Sequence, residues 1–132
     1  MNITADSTHK KHPHPINDEV MSVLKQYALG TEHSDTNMLN AAFHEHFRVV
    51  AMTKDGLRVI NKKDYLSLIK AKKIGGNSRE LSIQSIAGNE NVMQVSLTLT
   101  GEKQVFNDQI GLIKEDKTWK ILHNTTQVKE RE

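Results

Sequence analysis

The stretch Gln104–Thr125, QVFNDQIGLIKEDKTWKILHNT, decides the fold, because it reads as two long strands joined by a tight polar turn at Asp116 and Lys117. Just upstream, Met93, Val95, Leu97 and Leu99 alternate with Gln94, Ser96, Thr98 and Thr100, so a third strand has one apolar face and one face of small polar groups. Pairing must keep the apolar residues together, since a slip of one residue turns the buried face outward. With Glu102 and Lys103 at the first turn, Leu99 faces Phe106, Leu97 faces Asp108, Val95 faces Ile110 and Met93 faces Leu112. With Asp116 and Lys117 at the second, Leu112 faces Ile121, Ile110 faces His123 and Asp108 faces Thr125. The inward face is then expected to be apolar except for Asp108, His123 and Thr125 toward one end, with Trp119 sealing the other.

The rest of the chain fits around this hairpin. Leu81, Ile83 and Ile86 mark a further strand whose parity breaks as at a bulge, before a turn over Gly88 to Asn91. Ahead of Arg79 the apolar period is near 3.6 instead of 2. A first helix opens after Pro15 with Asn17 as N-cap, carries the stripe Val20, Val23, Leu24 and Tyr27, and stops at Gly30. A second, short helix is capped by Ser34 or Asp35 and presents Met38, Leu39, Ala42 and Phe43. Phe47–Thr53 and Leu57–Ile60 read as strands around the turn Lys54, Asp55, Gly56. Asn61 and Asp64 open a third helix through Tyr65, Leu66, Leu68 and Ile69, which Gly75 and Gly76 end. Three helices followed by long antiparallel strands predict an α+β domain, with the helices covering one face of a curved sheet.

Composition narrows the functions available. The 132 residues, 36% hydrophobic and 26% charged, fit one domain, expected over residues 16–127 with a charged tail at 128–132. There is no cysteine, which removes disulfide frameworks, thiolate catalysis and cysteine zinc sites. The 18 basic and 16 acidic residues are spread along the chain, so the net charge of +2 does not point to nucleic acid. Residues 1–15 lack the apolar core of a secretory signal, and no stretch is long and apolar enough to span a bilayer. A cytoplasmic protein without a membrane partner is expected. His9, His12 and His14 are metal-ligating in type, but a metal there would have to order the polar arm, which is expected to be a disordered tail. Gly75 and Gly76 precede a strand and lack the lysine and hydroxyl of a phosphate loop, and no cofactor is expected.

The runs AFHEHFRVV after a two-helix start, LRVINKKDYLSLI, and FNDQIGLIKEDKTWKI resemble the nuclear transport factor 2-like superfamily. More narrowly they resemble its branch described as putative lumazine-binding, in which a Phe-x-Asp strand is followed by Leu-x-Lys, a turn and a Trp-Lys-Ile strand. The resemblance covers residues 16–127 and implies a cystatin-like cone. A bent sheet wraps around the helices, an apolar pocket lies at the open end, and the sheet's outer face, here Gln94, Ser96 and Thr98, forms a homodimer. The fold is shared with ketosteroid isomerase and the polyketide cyclases, and in members similar to ketosteroid isomerase a helix-one tyrosine and a late-strand aspartic acid stand over a substrate oxyanion. Spacing puts Tyr27 and Asp108 at those positions. The earlier-strand base falls near Ala51, which cannot take a proton, leaving His123, His44 or His46 as substitutes.

Each of these residues also has a plain structural use. Asp108 either contacts a ligand or pins the register through a neighbouring tyrosine or histidine. Tyr27 either faces the pocket or sits in the core with its hydroxyl at the edge. His44 and His46 alternate like a strand-borne metal pair, but no third ligand is in view and no metal is expected. The expected function is binding of a small apolar or planar ligand, with Tyr27, Asp108, His123, Phe106, Arg48, Tyr65 and His44 around it. The alternative is an isomerase, dehydratase or cyclase working by proton transfer, with Asp108 and Tyr27 as electrophilic donors and His123 as base. A second alternative is a protein-interaction module using the outer sheet face.

Overall fold

The computed structural model describes residues 3–4 and 15–131, so the expected tail lies outside the described residues except for Ile3, Thr4 and Pro15. Helix α1 (Pro15–Glu32) starts two residues ahead of the expected cap, on a proline whose missing N–H suits the first helical turn. It runs through Gly30 instead of stopping there. A side chain at position 30 would lie 2.7 Å from Leu39, so the glycine lets helix α2 (Thr36–Ala42) fold back against α1. Asp35 caps α2, its carboxylate accepting from the Met38 N–H at 3.0 Å.

Strand β2 (Phe43–Thr53) begins four residues earlier than expected and takes Phe43, His44 and His46 out of the helix. A buried aromatic leading directly into a strand continues the helical stripe in sequence, so periodicity alone sets this boundary too late. Strand β3 (Gly56–Asn61) returns alongside β2, and Asn61 caps helix α3 (Lys62–Lys70) by accepting from the Asp64 N–H at 2.8 Å. The glycine pair does not end α3, which stops at Lys70. It ties the following loop to α1, the Gly76 N–H donating to the Thr31 carbonyl at 2.8 Å, with Gly75 at φ +72 passing too close to that carbonyl for a side chain.

Strands β4 (Glu80–Gly88), β5 (Val92–Thr100), β6 (Gln104–Glu115) and β7 (Thr118–Glu130) form an antiparallel meander, with the expected irregularity in β4 between Ile83 and Ser85. Strand β7 absorbs Val128 to Glu130, which had been expected as tail. The two-residue strand β1 (Ile3–Thr4) runs parallel to the start of β4, so the order across the sheet is β1, β4, β5, β6, β7, β2, β3. The concave face of this curved sheet and the helices enclose one core that includes Leu24, Leu39, Phe43, Phe47, Ile69, Leu97, Ile110 and Ile121. Phe43 and Phe47 stack at 3.7 Å, Tyr65 meets both edge-on, and Tyr27 meets Phe43 at 5.7 Å. Among the described residues no helix is long and apolar enough to cross a membrane.

The β5–β6 register is the expected one, with Leu99 opposite Phe106, Leu97 opposite Asp108, Val95 opposite Ile110 and Met93 opposite Leu112. The β6–β7 register is as expected only next to the turn. Asp116 and Lys117, both at positive φ, close that turn in the geometry that matches strand twist, and Leu112 faces Ile121. One step along β6, Gly111 faces His123, so β7 holds one extra residue at Leu122 and every side chain beyond it changes face. Ile110 therefore faces Asn124 and Asp108 faces Thr126, not His123 and Thr125.

Candidate functional site

The bulge builds the polar part of the interior. Asp108 on β6 is 1% exposed, with Thr126 directly across on β7 and Ala51 beyond it on β2. Asn124, buried one inward position nearer the turn, donates from Nδ2 to the Tyr27 hydroxyl at 2.9 Å, tying α1 to β7. Asp108 Oδ1, Asn124 Oδ1 and Thr126 Oγ1 are buried and meet no partner in good hydrogen-bond geometry among the described residues, and the same holds for Glu32 Oε1 and Trp119 Nε1 elsewhere. The Thr126 and Asn124 side chains nevertheless stand close enough to the Asp108 carboxyl to favour its charge. Folded proteins rarely leave such atoms unpaired, since each costs about 1–3 kcal/mol of desolvation. Three of them on one patch of the concave face are a set of hydrogen-bonding positions looking inward.

Burial governs the protonation of the patch. Asp108 is pushed up to about 6 by desolvation, against which the facing Thr126 and Asn124 side chains and the Arg79 charge favour its ionised form. Tyr65 is raised to about 12 by burial, with the neighbouring Tyr27 hydroxyl and Arg79 acting the other way. Tyr27 is raised well above the ordinary phenol range, first by burial and then by Tyr65 and Asp108. Both phenols are thus neutral donors and acceptors near neutrality, and Asp108 exchanges its proton in the range where a buried carboxyl can act as either.

Above this patch lies a second layer. Arg79, just before β4, donates to the Thr31 hydroxyl on α1 and lies over the Phe106 ring, 5.2 Å from its centroid. Thr31 is one helical turn beyond Tyr27, and Phe106 is the inward position next to Asp108. Arg79 therefore bridges helix and sheet one layer outside the Tyr27 and Asp108 pair, and its charge is felt by Tyr27, Tyr65 and Asp108.

The residues singled out from sequence separate into three places. Tyr27, Asp108 and Tyr65 come together in the interior, Tyr65 as a buried wall and not a rim residue, and Phe106 lies half-buried at the edge of the same face. His123 and Arg48 sit side by side on the convex face, where partial burial and Arg48 lower the His123 pKa, so neither reaches Asp108. Thr125 is exposed on that face as well. His44 is buried at the other end of the sheet, its Nε2 2.8 Å from Glu115 and its Nδ1 accepting from the His46 N–H. No group of three or more metal-ligating side chains occurs among the described residues. Asn124, Thr126 and Arg79 were missed. The available signal was Gly111, because a glycine inside a strand marks a bulge or a close approach, and here it faces the His123 ring, which lies 2.3 Å from where a Cβ would stand.

Two surface depressions lie outside the patch. One of about 570 Å³ runs between β3 and α3, past Arg58, Ile60, Asp64, Leu68 and Lys73. The other, of about 350 Å³, is lined by Ser78, Arg79, Glu80, Thr100, Gly101, Glu102 and Arg131.

Helices held in a curved open sheet, with a polar patch on the concave wall, define a nuclear transport factor 2-like domain. The chain belongs to the family described as putative lumazine-binding, whose profile matches residues 16–125. No curated protein matches it. Among solved structures, a nuclear transport factor 2-like protein of unknown function from Methylobacillus flagellatus KT superposes with TM-score 0.75 at 20% identity, over 90% of this chain and 96% of that one. Similar proteins of unknown function from Shewanella baltica OS155 (TM-score 0.76, 14% identity, 89% and 98% covered) and Silicibacter pomeroyi DSS-3 (0.76, 11%, 85% and 94%) share the same fold.

Proposed function

We propose that the chain is a small-molecule binding protein whose ligand lies against the concave wall at Tyr27, Asp108, Asn124 and Thr126. The three unpartnered buried atoms on that wall carry this proposal, because a ligand bearing hydrogen-bond donors beside an apolar or planar body would satisfy them. The family description and fold are in keeping with a ligand-binding domain. The proton-transfer alternative loses His123 as its base, since that ring lies on the convex face. Asp108, Tyr27 and Tyr65 supply donors, and the two phenols, both raised by burial, are not bases near neutrality.

A homodimer in the cytoplasm is proposed for the working form. Gln84, Ser96, Thr98, Asn107 and Gln109 bond to one another across the convex face, and the exposed apolar corner of Met52, Leu57 and Val59 continues it. Analytical ultracentrifugation should show a dimer that Leu57→Asp weakens; a monomeric wild type would end this part of the proposal.

Binding itself is tested by native mass spectrometry of protein incubated with a small-molecule cell extract and desalted. Wild type should carry a bound mass that Asn124→Leu loses while its circular dichroism is unchanged. A wild type that emerges empty, or an Asn124→Leu protein that keeps the mass, would overturn the proposal.

A further inference from the structure

Arg79 is the strongest feature that the proposed ligand wall leaves unused. A guanidinium has five donors in a planar fork suited to carboxylates, and here it forms no ion pair among the described residues. Its position is fixed from three sides. The Thr31 hydroxyl accepts one of its N–H groups, the Phe106 ring lies beneath it, and its aliphatic stem passes Gly101, where Cγ is 3.2 Å from the place a Cβ would take. Arg79 also lines the 350 Å³ cleft, where Arg131, donating to the Gly101 carbonyl at 2.8 Å, supplies a second cation. Arg79 thus stands between the cleft it lines and the concave wall, whose Tyr27, Tyr65 and Asp108 feel its charge.

Resting on the ligand-binding proposal above, we infer that Arg79 recognises an acidic group of the ligand, which makes the ligand a small organic acid with a planar or apolar body. The body lies along Phe106 toward Asp108, and the carboxylate stays one layer out, against the guanidinium. Glu80 and Glu102 line the same cleft and would repel a second negative charge. A singly charged carboxylate therefore suits the site better than a doubly charged phosphate. Removing the fork removes charge-assisted hydrogen bonds, an effect on the order of tenfold to a hundredfold in affinity.

The test is an NMR titration of the full chain with a panel of matched planar carboxylates and primary amides, from benzoate and benzamide to 2-naphthoate and 2-naphthamide, with 2-naphthyl phosphate added. Wild type should bind the best acid about tenfold or more tightly than its amide, with shifts at Asp108, Asn124 and Phe106, and the phosphate should bind more weakly than the acid. In Arg79→Gln the acid and amide should bind alike, and Arg79→Lys should recover part of the preference. Acid and amide binding wild type equally at the same residues would overturn the role of Arg79 and leave the wall intact. Absence of shifts there with every probe would overturn both. A preference for the acid that survives in Arg79→Gln would assign it to another cation and refute the inference. If Arg79 is only a brace between helix and sheet, Arg79→Gln will lower the melting temperature and leave the acid-to-amide ratio unchanged.

Discussion

The two halves of the β6–β7 hairpin are built to opposite rules. Next to the turn, Leu112, Trp119 and Ile121 alternate inward and are almost wholly buried, with a single unpartnered polar atom among them, the Trp119 Nε1. Past the extra residue at Leu122 the same face carries Asp108, Asn124 and Thr126, buried to the same degree, yet each with an oxygen that has no partner. One half gains stability from burial and the other gives some of it up. Three unpaired oxygens gathered on one patch, against one indole nitrogen in the other half, are what the proposed ligand site rests on.

The contrast breaks most visibly in the turn-proximal half. Ile121→Ala should lose about 2–5 kcal/mol in urea denaturation, as expected for truncating a fully buried aliphatic side chain. Asp108→Asn, in the other half, should go the opposite way at pH 7. The folded carboxyl titrates near 6, above its unfolded value near 3.8, so the folded state binds the proton more tightly. Stability is therefore fullest below the unfolded value and is lost as pH rises through the folded one, by roughly 3 kcal/mol at most. The wild-type denaturation free energy should fall between pH 4 and pH 6, and Asp108→Asn should flatten that slope. A slope that persists in the variant would mean that another group carries it.

Smaller effects sharpen the same contrast. Tyr27→Phe removes the oxygen that accepts from Asn124 and should cost about 1 kcal/mol, leaving a buried amide donor unpaired. His123→Ala, on the half-exposed convex face, should change stability by less than about 1 kcal/mol. Had β7 continued without its extra residue, these last two rankings would be exchanged, so measuring both by thermal denaturation checks the register itself.

Much of this architecture was legible because alternation and tight turns leave few choices. The β5–β6 pairing follows from four inward apolar residues on β5, three on β6 and a short turn, since a slip of one residue would bury Gln94 or Thr98 and the turn excludes longer shifts. The cap residues Asp35 and Asn61 were legible for a similar local reason. The site was only half legible. Asp108 faces inward on a regular strand and Tyr27 lies on an unbroken helical stripe, so periodicity places both, while their pairing in one site comes from the family resemblance. Asn124 and Thr126 were hidden because Leu122 and His123 can each take either face, and counting across them assumes a regular strand. Arg79 precedes its strand and acts through its reach to Thr31 and Phe106, contacts between segments distant in sequence that no local pattern encodes.

The most direct test is a ¹³C NMR titration of the Asp108 carboxyl, alone and with the tightest-binding acid of the matched panel. A buried wall that receives a ligand predicts a midpoint near pH 6 in the free protein that moves measurably when the acid is bound. A midpoint near pH 4 that no member of the panel shifts would contradict it.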